Sequence, residues 1–113
     1  MLPPAHRLTR RRDFARVSAA GKSVYTPALR LRRVVTGRTT SRFAVVVSSR
    51  VSKHATKRNR LKRQLRTALR QQLAHVKPGF DVVLSAAPSA LGQPYAVLRD
   101  DVQALVHKSA LRS

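Results

Sequence analysis

Apolar positions along this chain recur with two different periods, and the switches between them mark out its elements. Phe14 and Val17, at i and i+3, give one apolar side to a short helix over about 10–20, which Thr9 could cap and Gly21 would end. From 23 to 35 the period changes to two. Leu29, Leu31 and Val35 alternate with Arg30 and Arg32, which predicts a half-buried strand with one basic face, either bent at Pro27 or split there into two strands. Residues 36–41 (Thr-Gly-Arg-Thr-Thr-Ser) have turn composition. Phe43 to Val47 is apolar at every position, as in a central strand covered on both faces. After a polar basic loop, Leu61, Leu65, Ala68, Leu69 and Leu73 return to helical spacing, predicting a helix over about 56–76 that stops at Lys77-Pro78-Gly79. A strand beginning Phe80-Asp81-Val82-Val83 and a helix over about 94–108, burying Tyr95, Leu98, Val102 and Leu105, complete the chain. The predicted order is α-β-β-β-α-β-α, an α/β (α+β) sandwich in one domain over 1–113, with residues 1–8 as an irregular basic arm.

Charge adds what periodicity cannot. The chain carries 24 Lys and Arg against four acidic residues, a formal charge of +20. Asp13, Asp81, Asp100 and Asp101 are the only acids, and seventeen cations fall between the first two. A single-sign surface repels itself, so a chain that tolerates one usually has a polyanion to neutralise it. Nucleic acid fits that footprint. The densest stretch, Lys57-Arg58-Asn59-Arg60-Leu61-Lys62-Arg63, opens the long helix. At 100° per residue, Asn59, Arg63, Arg66 and Arg70 fall together opposite the leucine stripe, flanked by Arg60 and Lys62. Solvated helix faces usually alternate sign, and this one does not. Arginine dominates, and its planar guanidinium binds phosphate bidentately and stacks on bases. Asn59 could read a base edge or a 2′-hydroxyl, or make a local helix-start hydrogen bond. Phe14 could stack on a base or pack in the core. A sheet with a basic strand and a basic helix favours RNA over DNA, whose major-groove readers are usually helical domains.

Other chemistry finds little support. Without cysteine there is no disulfide, thiol nucleophile or cysteine-ligated zinc. The acids are too few and scattered for a paired-carboxylate or two-metal site. His6, His54, His75 and His107 lack ligand or triad spacing. No catalytic or metal-binding residue is expected in the chain. The N-terminus has no apolar signal segment, and the longest apolar run is far short of a membrane span, so a cytoplasmic protein without a membrane partner is expected.

Several runs together resemble the protein subunit of bacterial ribonuclease P. They are Arg7-Leu8, Asp13-Phe14, Gly21 with Ser23-Val24, Arg42-Phe43, the run Arg58-Asn59-Arg60-Leu61-Lys62-Arg63 followed by Arg66, and Phe80-Asp81-Val82-Val83. The similarity spans nearly the whole chain. It implies a sandwich like the second domain of a small-subunit ribosomal protein, with a left-handed β-α-β crossover that composition could not reveal. It also implies a division of labour. A large catalytic RNA holds Mg2+ ions and cuts precursor tRNA at the mature 5′ end. The protein grips the 5′ leader in a cleft between the first helix and the sheet and packs its basic helix on the catalytic RNA. Carried across, Phe14 and Val17 would face the leader, and Arg58, Asn59, Arg60, Lys62, Arg63 and Arg66, with Arg70 on the same face, would contact the RNA subunit. No obligate protein partner is implied. The chain departs from the family in places. Ser18 and Arg32 replace common cleft aromatics, Ser49 and Arg50 stand for a common lysine pair, and Thr67 replaces a frequent glutamate. With Arg32 and Arg50 counted in the cleft, the departures suggest a grip made more by phosphate charge than by stacking. A small ribosomal protein, or a DNA-compacting one, would share the composition but not the motif.

Overall fold

A computed structural model describes residues 2–109. It contains α1 (Arg11–Ala20), β1 (Lys22–Tyr25), β2 (Leu29–Val35), β3 (Arg42–Val46), α2 (Ala55–Gln72), β4 (Phe80–Ala86) and α3 (Tyr95–Lys108). The order is the expected one, with short 3-10 turns added at Pro4–His6, Leu73–His75 and Pro88–Ala90. The basic strand splits at Pro27. Proline offers no ladder donor there, and Thr26 closes the hairpin through its backbone and hydroxyl to Leu29, at 2.9 and 3.1 Å.

The sheet order is β1-β2-β4-β3. β1, β2 and β4 pair antiparallel, while β3 and β4 are parallel, so α2 is the crossover of a β-α-β unit. Leu29 and Leu31 on β2, Val82 and Leu84 on β4, and Phe43 and Val45 on β3 share one face by the period-two pleat. They meet Leu61, Leu65, Ala68 and Leu69 of α2 and Leu98, Val102, Leu105 and Val106 of α3 in a single core. Phe80 is half-buried at the edge of that core, with the Arg33 guanidinium 5.3 Å from its ring centroid.

Three local expectations change. β3 is an edge strand rather than a central one, with Val46 38% exposed. Its apolar run is explained by what covers its edge. The N-terminal segment lies along it, bridging Arg7 to Phe43, with the Leu8 N–H donating to the Phe43 carbonyl at 2.9 Å. The supposed irregular arm is therefore docked, with Leu2 and Leu8 both buried. Val35 does not point into the core but is 66% exposed at the end of β2 beside the turn.

α1 packs on the opposite face of the sheet, and two devices seat it. One is a buried ion cluster that gathers the two acids bounding the basic stretch. Arg42 on β3 holds Asp81 of β4 in a two-pronged contact, 2.9 and 2.7 Å, and lies 3.2 Å from Asp13 of α1. That last contact is ionic, without hydrogen-bond alignment. Both carboxylates are fully buried, and Arg16 approaches Asp13 from the surface at 3.4 Å. The hydrogen bond from Arg42 to Asp81 holds the guanidinium pKa above its ordinary value, assisted by the charges of Asp81 and Asp13 and opposed by burial. The second device is Gly21. Its φ of −72° is ordinary, so no left-handed turn ends the helix. Glycine is required by proximity, because a Cβ there would sit 2.4 Å from the Val17 carbonyl oxygen and 3.0 Å from that of Arg33.

Candidate nucleic-acid interface

Leu61, Leu65, Ala68 and Leu69 of α2 are buried as predicted, while Leu73 falls just past the helix end and is half-buried; the buried stripe turns Asn59, Arg63, Arg66 and Arg70 outward, all exposed. These four positions span about 16 Å of helix. Arg60 is exposed and Lys62 half-buried beside them. Among the described residues none of these cations has an anionic partner, and the Asn59 amide makes no intramolecular hydrogen bond. The helix-start reading of Asn59 is thus not realised, leaving its donor and acceptor open. Arg58 differs. It is half-buried and donates to the Ser52 carbonyl at 2.9 Å, tying down the loop before α2.

A cleft of about 320 Å³ joins the two helices across the β3 edge. Phe14 of α1, Ala44 of β3 and Arg66 of α2 line it, together with Arg7 and Thr9 of the N-terminal segment. Phe14 is half-buried there, neither sealed in the core nor free. Other cleft candidates are placed differently. Val17 is 1% exposed and packs beneath α1, with no surface to offer a ligand. Arg32 is engaged within the protein. It donates to the Val17 and Ser18 carbonyls at 2.8 and 2.9 Å and to the Ser23 hydroxyl at 3.0 Å, satisfying the carbonyl end of α1. Its position on β2, beneath the end of α1, made it a clamp for the helix. Arg50 is exposed in the loop after β3, outside the cleft lining.

The fold also exposes residues that sequence reasoning missed. Arg7 enters the cleft only because the N-terminal segment docks on β3. On the α1 side of the sheet, Val46, Ser85, Arg30 and Tyr25 form one cross-strand row. Such a row is about 14 Å wide at the usual strand spacing. Tyr25 is 63% exposed and Arg30 is also exposed. Fixing the hairpin at Pro27 would have revealed the Tyr25–Arg30 pair, since hairpin register follows turn length.

Among the described residues no group of His, Cys, Asp or Glu could hold a metal. Asp13 and Asp81 are consumed by Arg42, Asp100 contacts Arg99, and Asp101 accepts from Thr26. No described helix is long and apolar enough to cross a membrane.

Comparison with known proteins accounts for this combination. The family model for ribonuclease P matches residues 2–110. The ribonuclease P protein component of Pseudanabaena sp. is 41% identical over 110 residues, covering 96% of this chain and 95% of that one. The ribonuclease P protein component of Chloroflexus aurantiacus is 36% identical, covering 95% and 79%. Among solved structures, the RNase P protein of Thermotoga maritima superposes with a TM-score of 0.82 at 27% identity, covering 90% of this chain and 96% of that one. That of Staphylococcus aureus reaches 0.86 at 18% identity, covering 96% and 98%, and speaks for the fold.

Proposed function

We infer the function from one premise: this chain belongs to the ribonuclease P protein family. It is an RNA-binding protein component of that endoribonuclease complex and works in tRNA processing, which sets aside the structural ribosomal alternative. The finer mechanism that fits these residues assigns binding, not bond cleavage, to the chain. The cleft between α1, β3 and α2 grips the 5′ leader of precursor tRNA. Phe14 offers its ring to a base, while Arg7 and Arg66 meet phosphates. The Val46–Ser85–Arg30–Tyr25 row continues the track, with Tyr25 supplying an exposed ring where Ser18 lacks one. The outward face of α2, carrying Asn59, Arg63 and Arg70 with Arg60 and Lys62, packs on the catalytic RNA.

Magnesium belongs to the RNA subunit and substrate in this reading; among the described residues Asp13 and Asp81 are taken up by Arg42, while Asp100 contacts Arg99 and Asp101 accepts from Thr26. The chain's contribution is electrostatic and positional. It neutralises phosphates and orders the leader, so that the RNA's own site meets the scissile phosphodiester. It does so in the cytoplasm.

The observation that carries this reading is that Phe14 and Arg66, from two separate helices, share one basic cleft. Changing Phe14 to Ala tests it. Binding of leader-bearing precursor tRNA to the reconstituted complex should weaken roughly tenfold, the loss of one base–aromatic stack, with little change for mature tRNA. Equal losses for both would make Phe14 only a packing residue.

A further inference from the structure

α2 has a second flank. On the side of the helix roughly opposite Arg66, about 120–180° around its axis at 100° per residue and toward its N-terminus, Lys57, Arg60 and Gln64 face the loop that leads into α3. Between them lies a groove of about 820 Å³, closed on the far side by Gly92, Gln93 and the Tyr95 ring. It opens onto a shallower hollow of about 420 Å³, where Arg63 joins Arg60, Gln64 and Tyr95. The walls contain no acidic residue. Lys57, Arg60 and Arg63 have no ion-pair partner among the described residues. Tyr95 is half-buried against the core, so its ring is held in place, and its hydroxyl is buried without a partner. The loop is braced by Gln93, which donates to the Ser89 carbonyl at 3.3 Å. α3 begins there without a side-chain cap.

We propose that this groove is a second RNA site, which takes an unpaired nucleotide of the catalytic RNA subunit. The base lies on the Tyr95 ring with the Gln64 amide at its edge, and Lys57, Arg60 and Arg63 take the flanking phosphates. Three unpaired cations around a fixed aromatic wall match the chemistry of a single-stranded nucleotide. The RNA subunit is the source because Arg63 belongs both to the hollow that adjoins the groove and to the outward face of α2, whereas the leader cleft lies on the opposite flank. The inference rests on the RNA-subunit interface proposed above. In it α2 is gripped on two sides, with the leader beside Arg66 and the subunit beside Arg60.

The absence of cysteine makes the test direct. Gln64→Cys in the groove and Thr9→Cys in the Phe14 cleft each carry one photoactivatable aryl azide, in complexes reconstituted with the RNA subunit and precursor tRNA. The Gln64→Cys protein should crosslink to a few unpaired nucleotides of the RNA subunit, and the Thr9→Cys protein to the leader. If Thr9→Cys reaches the leader while Gln64→Cys yields no adduct, or adducts only with precursor tRNA, the groove assignment is overturned and the functional reading survives. If neither crosslinks to any RNA, both fall. Affinity for the RNA subunit gives a second readout. The Lys57→Gln, Arg60→Gln double variant should flatten the log–log salt slope by roughly 1.5 units. Tyr95→Phe should bind as the parent does, and Tyr95→Leu roughly tenfold more weakly. An unchanged slope, or equal affinity for the Phe and Leu variants, overturns the proposal.

Discussion

Replacing Arg42 with Met removes the guanidinium that Asp13 and Asp81 share. Its side chain is 12% exposed and both carboxylates are fully buried, so water cannot take over its role. Breaking a buried ion pair by deleting one partner costs about 3–5 kcal/mol. Two carboxylates are stranded here, but Arg16, 44% exposed, stays 3.4 Å from Asp13 and relieves part of the loss. The upper end of that range is expected, about 4–5 kcal/mol, a third or more of the stability of an ordinary domain. With a urea dependence of about 2 kcal/mol per molar, the unfolding midpoint should fall by roughly 2 M at pH 7. Arg42→Lys, which keeps a charge but loses the planar fork, should lie between. Because Asp13 immediately precedes Phe14 on α1, leader binding should weaken with the helix seat. A midpoint within about 0.3 M of the parent at pH 7 would refute the view that this cluster holds α1 on the sheet.

Two further perturbations separate interface from scaffold. Changing Arg63 and Arg66 to Ala should leave the fold intact, since both are exposed, while weakening RNA binding and flattening its salt dependence by roughly one unit of log–log slope per lost phosphate contact. An unchanged slope in filter-binding titrations would remove them from the interface. Gly21→Ala should do the reverse. A Cβ there would crowd the Val17 carbonyl oxygen of α1 at 2.4 Å and the Arg33 carbonyl oxygen of β2 at 3.0 Å, so the end of α1 must shift, costing about 1–3 kcal/mol in a urea melt. A neutral substitution would show that α1 has slack at that end.

Much of the architecture was legible because hydrophobic period alone decides it. Leu61, Leu65 and Leu69 had to face a core, and turning them inward placed Asn59, Arg63, Arg66 and Arg70 outside without further information. The family motif lies on that helix, so the exposed basic face proposed above to meet RNA was legible too. What escaped depends on contacts between distant segments. Nothing local distinguishes Phe43–Val47 as an edge strand, because its cover comes from Leu2 and Leu8 some 35 residues away. Arg32 reads as a free cation on an alternating strand, yet its hydrogen bonds go to the carbonyls of Val17 and Ser18. Asp13 and Asp81 look like the two ends of an acid-free stretch, and only the fold brings them to one guanidinium. Their burial also leaves the solvent-facing surface more cationic than the formal charge suggests.

The central claim, that this chain serves an RNA catalyst as its binding subunit, is tested most directly by cleavage. A bacterial ribonuclease P RNA is incubated with precursor tRNA at a magnesium concentration too low for it to act alone, with and without the protein. The account predicts that the protein restores cleavage at the mature 5′ end. Cleavage that stays absent while the protein still binds the RNA tightly would contradict it.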